Sequence, residues 1–296
     1  MTTSASDPSG RPPAGGSPRP RPEAGAAAPG GDGARAPDQP RAAAGAGRPA
    51  GPAVSLEGVW KAFDDAPVLR GLDLTVPRGS TVTVMGGSGS GKTVLLRLTA
   101  GLIKPDRGRI RVLGVDTTPL REEALLPLRC RMGFVFQGAA LFDSLTVYEN
   151  VAYPLREHAA ELPEPEVGGR VHRLLERVGL RDVDAKLPAE LSGGMRKRVG
   201  IARALALGPE LVLYDEPTAG LDPTNARLIT ELIGTLKAEG ASETAMIVTH
   251  DLEFARAVSD LIAVLIAGRI ADIGSPDAVL RSARDEVQAF LAGRAG

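Results

Sequence analysis

Gly86-Gly87-Ser88-Gly89-Ser90-Gly91-Lys92-Thr93 is the stretch on which the fold turns. Its glycines leave backbone N–H groups free to converge on phosphate oxygens. The residues before it, Thr81 to Met85, are a short β-rich run. Those after it, Val94 to Ala100, read as a helix. Strand, glycine loop and helix together are the setting a P-loop needs, with the positive end of the helix turned to the same anion. In that setting Lys92 reaches the β- and γ-phosphates, and the Thr93 hydroxyl ligates Mg²⁺. By itself the loop predicts bound ATP or GTP and little else.

Outward from the loop, the pattern is that of an α/β protein. Val54 to Trp60 and Leu72 to Val76 alternate like half-buried strands, and Arg109 to Leu113 follows a Pro-Asp-Arg-Gly turn. Leu211 to Tyr214 and Ala245 to Val248 are continuous apolar runs, as in parallel strands covered on both faces. Ile262 to Ile266 and Arg269 to Ile273 predict a last hairpin around Ala267-Gly268. Helical spacing appears in Val171, Leu174, Leu175 and Val178, from Gly193 to Ala206, and again in Leu228, Ile229, Leu232, Ile233 and Leu236. Strands alternating with helices imply an α/β core, with a more helical section at about residues 138–205.

Residues 1–53 differ in kind. They are mostly Ala, Gly, Pro and Arg, with no aromatic residue and no Val, Ile or Leu. Such a segment buries too little apolar surface to offset its ordering entropy, so a disordered tail is expected, with a docking arm as the alternative. The 35 basic and 36 acidic residues nearly balance, which gives no electrostatic reason to expect a nucleic-acid partner. The single cysteine, Cys130, excludes an internal disulfide and fits a reducing compartment. No apolar run approaches the roughly 20 residues of a membrane-spanning helix. Any work at a membrane then calls for a separate spanning chain.

Two further motifs bear on the chemistry. Leu211-Val212-Leu213-Tyr214-Asp215-Glu216 ends a buried strand in an acidic pair. This puts Asp215 near the Mg²⁺ shell and lets Glu216 act as general base towards an attacking water. In Leu191-Ser192-Gly193-Gly194-Met195, Ser192 is a good N-cap and the glycines expose N–H groups at a helix start, a second phosphate cradle.

With Ser192, Gly193, Gly194 and Met195 the chain resembles the ATP-binding subunits of ABC transporters, whose signature reads LSGGQ in its common form. The resemblance covers Val54 to Gly296. It implies a RecA-like P-loop core with an antiparallel β subdomain and a helical subdomain. It also implies ATP and Mg²⁺ as ligands, and a head-to-tail dimer in which the signature of a second copy closes each ATP. Gln137 resembles the Q-loop glutamine that senses the metal and couples to a membrane subunit. Asp222, in Ala219-Gly220-Leu221-Asp222, resembles the D-loop, and His250 the switch histidine that contacts the γ-phosphate. Phe63 stands where the family has an adenine-stacking aromatic, with Trp60 as competitor.

Within that family, Met195-Arg196-Lys197-Arg198 replaces the usual glutamines. Together with Gly138 to Asp143, Asn150 to His158 and Val287 to Arg294, this resembles the ATPases of Mla- and Mce-type phospholipid or sterol transporters. That resemblance implies an Mla-type integral membrane permease, an Mce-domain protein beyond it, and a peripheral position on the cytoplasmic face of a bacterial inner membrane. The alternatives are an importer ATPase for amino acids or another small polar solute, a soluble ABC protein acting on ribosomes or DNA, and a regulatory ATP-binding module without turnover.

Overall fold

The computed structural model describes residues 51–240 and 244–293. Of the tail expected at residues 1–53, residues 1–50 lie outside the described residues, as does Arg294 at the end of the 287–294 stretch. Ala53, on the tail side of the boundary expected at Val54, is fully buried. Its N–H donates to Val76 O and its carbonyl accepts from Leu113 N, so the folded chain takes it in.

β1 (Val54–Phe63) and β2 (Ala66–Val76) make a hairpin, and β3 (Thr81–Met85) runs into α1 (Lys92–Thr99). β4 (Arg107–Val112), β5 (Val115–Asp116), α2 (Glu122–Arg129) and β6 (Met132–Val135) follow. The central helices are α3 (Val147–His158), α4 (Glu164–Arg177) and α5 (Gly193–Ala204). The chain then returns to the sheet through β7 (Leu211–Asp215), α6 (Pro223–Ala238), β8 (Ala245–Thr249) and α7 (Leu252–Val258). β9 (Leu261–Ile266), β10 (Arg269–Gly274), α8 (Pro276–Leu280) and α9 (Asp285–Leu291) complete the described residues.

Two sheets result. One is antiparallel, in the order β2-β1-β4-β5; the other runs β10-β9-β3-β8-β7-β6. In the second, β9, β3, β8, β7 and β6 are parallel and only β10 is antiparallel. β3, β7 and β8 are buried at every position; their apolar and β-branched residues suit this, and Asp215, the last residue of β7, is buried with them. Alternate residues serve different cores. Val212, Tyr214, Ala245 and Ile247 pack with α3, α4 and α5, whereas Leu211, Leu213, Met246 and Val248 pack with α1 and the antiparallel sheet.

Because five strands are parallel, their carboxyl ends share one edge. The loops after β3, β6, β7 and β8 therefore emerge together, and ligands of open α/β sheets bind at that edge. α2 and α3 each hold an internal proline, Pro127 and Pro154. A capping box starts α3: Thr146 Oγ1 accepts from Glu149 N at 3.2 Å, and Glu149 Oε2 accepts from Thr146 N at 2.7 Å.

Candidate functional site

The glycine loop joins β3 to α1 as its strand-loop-helix reading predicts. Gly91 caps α1 with φ 103°, a left-handed backbone, and a Cβ there would lie 2.9 Å from Leu69 Cδ2. Glycine satisfies both demands and brings no side chain to occupy the first-turn N–H groups. Lys92 is buried, and its Nζ donates to Gly86 O at 2.8 Å and Gly87 O at 3.0 Å. Ser90 Oγ is buried and has no hydrogen-bond partner among the described residues. Such a hydroxyl is costly without a ligand to meet it, so the cradle fits an incoming phosphate.

β7 delivers the acidic pair to the same place. Thr93 Oγ1 donates to Asp215 Oδ1 at 3.2 Å, which joins the loop to the strand end. Burial pushes the Asp215 carboxyl above the usual carboxylate range, and the Glu216 charge adds to this; the Thr93 hydrogen bond and the Arg97 and Lys92 charges oppose it. A cation held here would relieve that burial. Among the described residues no three His, Cys, Asp or Glu side chains cluster as a metal site. The hydroxyl of Thr93 and the carboxylate of Asp215 are a donor pair that suits Mg²⁺, which arrives with phosphate oxygens and keeps its own waters.

Glu216 is 8% exposed and has φ 47°, an unusual backbone for a residue with a Cβ. Its carboxylate is shared: Oε1 lies 3.4 Å from Lys92 Nζ, and Oε2 lies 2.9 Å from His250 Nδ1. Its N–H donates to Val248 O at 2.9 Å. His250 follows β8 with its ring mostly exposed, 66% at the side chain, so it meets both solvent and Glu216. Lys92, Thr93, Asp215, Glu216 and His250 thus converge, although they come from three strand ends. Gln137, two residues beyond β6 at the same edge, is exposed.

The signature residues begin α5. Ser192 Oγ accepts from Met195 N at 3.2 Å, as its capping role predicts. Asp222 caps α6 through Thr224 N and Asn225 N and also accepts from Asn225 Nδ2 at 2.6 Å. A Cβ on Gly194 would lie 2.4 Å from Asn225 Oδ1. The signature glycine and the Asp222 turn are therefore packed as one unit. Phe63, at the tip of the β1–β2 hairpin, is 45% exposed, with Lys61 Nζ 5.3 Å from its ring centroid. Trp60 instead lies over Gly71, where an added Cβ would be 3.2 Å from its Nε1. The hairpin bears on the loop through Val68 and Leu69, both close to Gly91.

A second concavity, about 400 Å³, lies between β6 and the helices. Leu126, Phe136, Phe142 and Tyr153 line it and are all exposed. The Phe142 and Tyr153 rings are 4.8 Å apart. Ala139 and Ala140 are left-handed, with φ 61° and 47°. Arg203 of α5 holds them: Nη2 donates to Ala139 O at 2.9 Å and Nη1 to Ala140 O at 2.8 Å. Fully buried Asn150 fixes the next turn, accepting from Phe142 N and donating to the carbonyls of Phe142, Leu145 and Thr146. Sequence reasoning assigned no role to Arg203, to the strained alanines or to buried Lys197. Burial of a cation leaves no mark in sequence spacing.

A mostly parallel sheet carrying a phosphate loop, two buried carboxylates and a histidine at one edge defines a P-loop ATPase. Residues 69–219 match the ABC transporter family, and the chain belongs to it as an ATP-binding subunit. Relatives agree on that and diverge on cargo. "Probable ribonucleotide transport ATP-binding protein mkl" of Mycobacterium tuberculosis is 39% identical over 256 residues, 86% of this chain and 70% of that protein. The intermembrane phospholipid transport system ATP-binding protein MlaF of Escherichia coli is 40% identical, covering 76% of this chain and 83% of its own. The methionine import ATP-binding protein MetN of Rhizobium etli is 41% identical, covering 81% and 66%. Among solved structures, the dimeric ATP-binding cassette MJ0796, in a post-hydrolysis state bound to ADP and Pi, has a TM-score of 0.70. It is 33% identical and covers 75% of this chain and 98% of that one. The chain is an ATPase of the ABC type.

Proposed function

We propose that this ATPase powers lipid movement, phospholipid or sterol, through a separate Mla-type permease, with an Mce-domain protein beyond it. The observation that carries this reading is Met195-Arg196-Lys197-Arg198 in place of glutamines after the signature, together with the Asn150 to His158 stretch on α3. The 40% identity to MlaF over most of both chains supports it. The second reading, import of a small polar solute, draws on the comparable match to MetN.

In the hydrolytic step, the loop N–H groups and Lys92 hold the β- and γ-phosphates, and Phe63 stacks on adenine. Mg²⁺, when bound by Thr93, Asp215 and Gln137, supplies charge neutralisation on the phosphates. Glu216 accepts a proton from the water that adds to the γ-phosphorus, as the bond to the ADP oxygen breaks and that oxygen keeps the electron pair. His250 contacts the γ-phosphate while its Nδ1 orients Glu216. Ser192, Gly193, Gly194 and Met195 of a second copy close the site from the other side, and Asp222 lies at that junction.

The output surface is the aromatic groove beside Gln137. Its exposed rings suit an apolar helix offered by a permease at the cytoplasmic face of an inner membrane. Among the described residues no helix is long and apolar enough to cross a membrane; in this reading the permease supplies the span. Closing two ATPs between copies moves the groove, and hydrolysis releases it, a rigid-body switch.

The test is recovery of the tagged full chain with its membrane partners from its own host in mild detergent. A permease together with an Mce-domain protein is the expected result. An amino-acid permease with no Mce protein would overturn the lipid reading and favour the importer.

A further inference from the structure

Lys197 sits in α5, five residues after the Ser192 cap, and is only 5% exposed. A lysine ammonium in such a place is expensive unless something holds it. Burial pulls its pKa below the ordinary lysine range, and the Asp215 and Glu216 carboxylates push back. Its Nζ donates to the Glu216 backbone carbonyl at 3.1 Å. That carbonyl also accepts from Ala219 N at 3.1 Å, so both of its lone pairs are engaged. Glu216 is the residue with the left-handed backbone at φ 47°. Outliers of this kind persist only where neighbours over-determine them.

The site needs a carboxylate at 216, so the strain cannot be relieved by glycine. Something else must hold the peptide. The turn hydrogen bond from Ala219 N is local, and the one that Glu216 N donates to Val248 O fixes the N–H side only. Among the described residues Lys197 supplies the one side-chain hydrogen bond to the Glu216 carbonyl, and it comes from the helix whose first turn is the signature motif.

We propose that Lys197 is a positioning residue for hydrolysis: it holds the Glu216 peptide in its left-handed conformation and so fixes the carboxylate beside Lys92 and His250. A displacement of α5 is then passed to Glu216 through a single hydrogen bond. The proposal rests on the reading of Glu216 as general base.

The experiment measures kcat, KM and affinity for a fluorescent ATP analogue on the full chain and its Lys197→Met, Lys197→Arg, Glu216→Gln and Lys197→Met/Glu216→Gln variants. K197M should lose about tenfold or more in kcat, with KM and analogue affinity within about twofold. K197R, which keeps a charged donor, should stay within about threefold of the parent. In the E216Q background K197M should cost less than about twofold, because both changes remove one function. A K197M rate within twofold of the parent overturns the proposal. So does K197R as slow as K197M, or an undiminished tenfold loss in the E216Q background. E216Q with the parental kcat sinks the reading of Glu216 itself, an outcome visible without any Lys197 variant. If K197M fails to melt cooperatively, K197Q replaces it: its amide ends one bond short of the carbonyl, so a loss of several-fold in kcat with analogue affinity unchanged is required.

Discussion

Glu216 and Ala140 share a backbone angle, φ 47°, and little else. Glu216 stands at the carboxyl edge of the parallel sheet, buried, with its carboxylate divided between Lys92 and His250. Ala140 lines the aromatic groove, is exposed, and has a side chain that carries no chemistry. In both places a residue with a Cβ is held where glycine would be easier, and in both the holding group is a cation from α5, Lys197 for one and Arg203 for the other. At the edge the strain is the condition for having a carboxylate there. In the groove no side chain demands it, which points to the turn itself as the useful part. One helix therefore grips the proposed general base near its start and the turn of the proposed docking groove near its end.

Two substitutions separate the regions, and the larger effect belongs to the edge. Glu216→Gln removes the proposed base while keeping size and polarity. A loss of about 10²-fold or more in kcat is expected, with ATP affinity retained. Recovery of the membrane partners should be unchanged. A variant still hydrolysing ATP within tenfold of the parent rate would return this edge to a binding role. Tyr153→Lys is the reciprocal change. Tyr153 is 41% exposed on α3 and rests against Phe142. If the groove receives an apolar helix, a charge there should lower permease recovery by roughly thirtyfold, the size expected for a lost aromatic anchor. The ATPase rate of the isolated chain should stay within about twofold. Equal recovery with parent and variant would move the docking surface elsewhere.

The same contrast decides what the sequence could reveal. The edge is legible because each group comes from a short local pattern: glycines before Lys92, an apolar run before Asp215, another before His250. Parallel pairing then brings those patterns to one edge without further instruction. The strands Leu211–Asp215 and Ala245–Thr249 and the hairpin around Ala267-Gly268 lie where the apolar runs predict. The groove is less legible. Pro127 and Pro154 obscure α2 and α3, although Thr146-Val147-Tyr148-Glu149 is a capping-box pattern that announces α3. Two successive alanines give no hint of a left-handed turn, since that conformation is imposed by Arg203 and by packing on Gly200 rather than by local preference. Lys197 is hidden for the same reason: within Arg196-Lys197-Arg198 nothing marks the middle residue as the buried one.

The smallest expected effect is the most informative about the turn. Ala140→Gly relieves a left-handed alanine whose carbonyl remains bound by Arg203. Ala140 is exposed, so removing its methyl opens no core cavity. The gain from relief and the cost of a looser unfolded chain oppose each other, and at a positive φ the relief prevails by about 1 kcal/mol. In a domain of this size that raises Tm by roughly 2–4 °C, measurable by calorimetry of the full chain. If the turn is held under strain so that docking in the groove is felt at α5, the more stable variant should also respond less to its permease. Basal ATPase activity should match the parent, while stimulation by the reconstituted partner falls by about half or more. Stabilisation with full stimulation would mean that the strain at Ala140 is incidental and that coupling runs through Arg203 and Phe142 alone. No stabilisation at all would mean that Arg203 and its neighbours already compensate the alanine, and that the two left-handed residues are less alike than their common angle suggests.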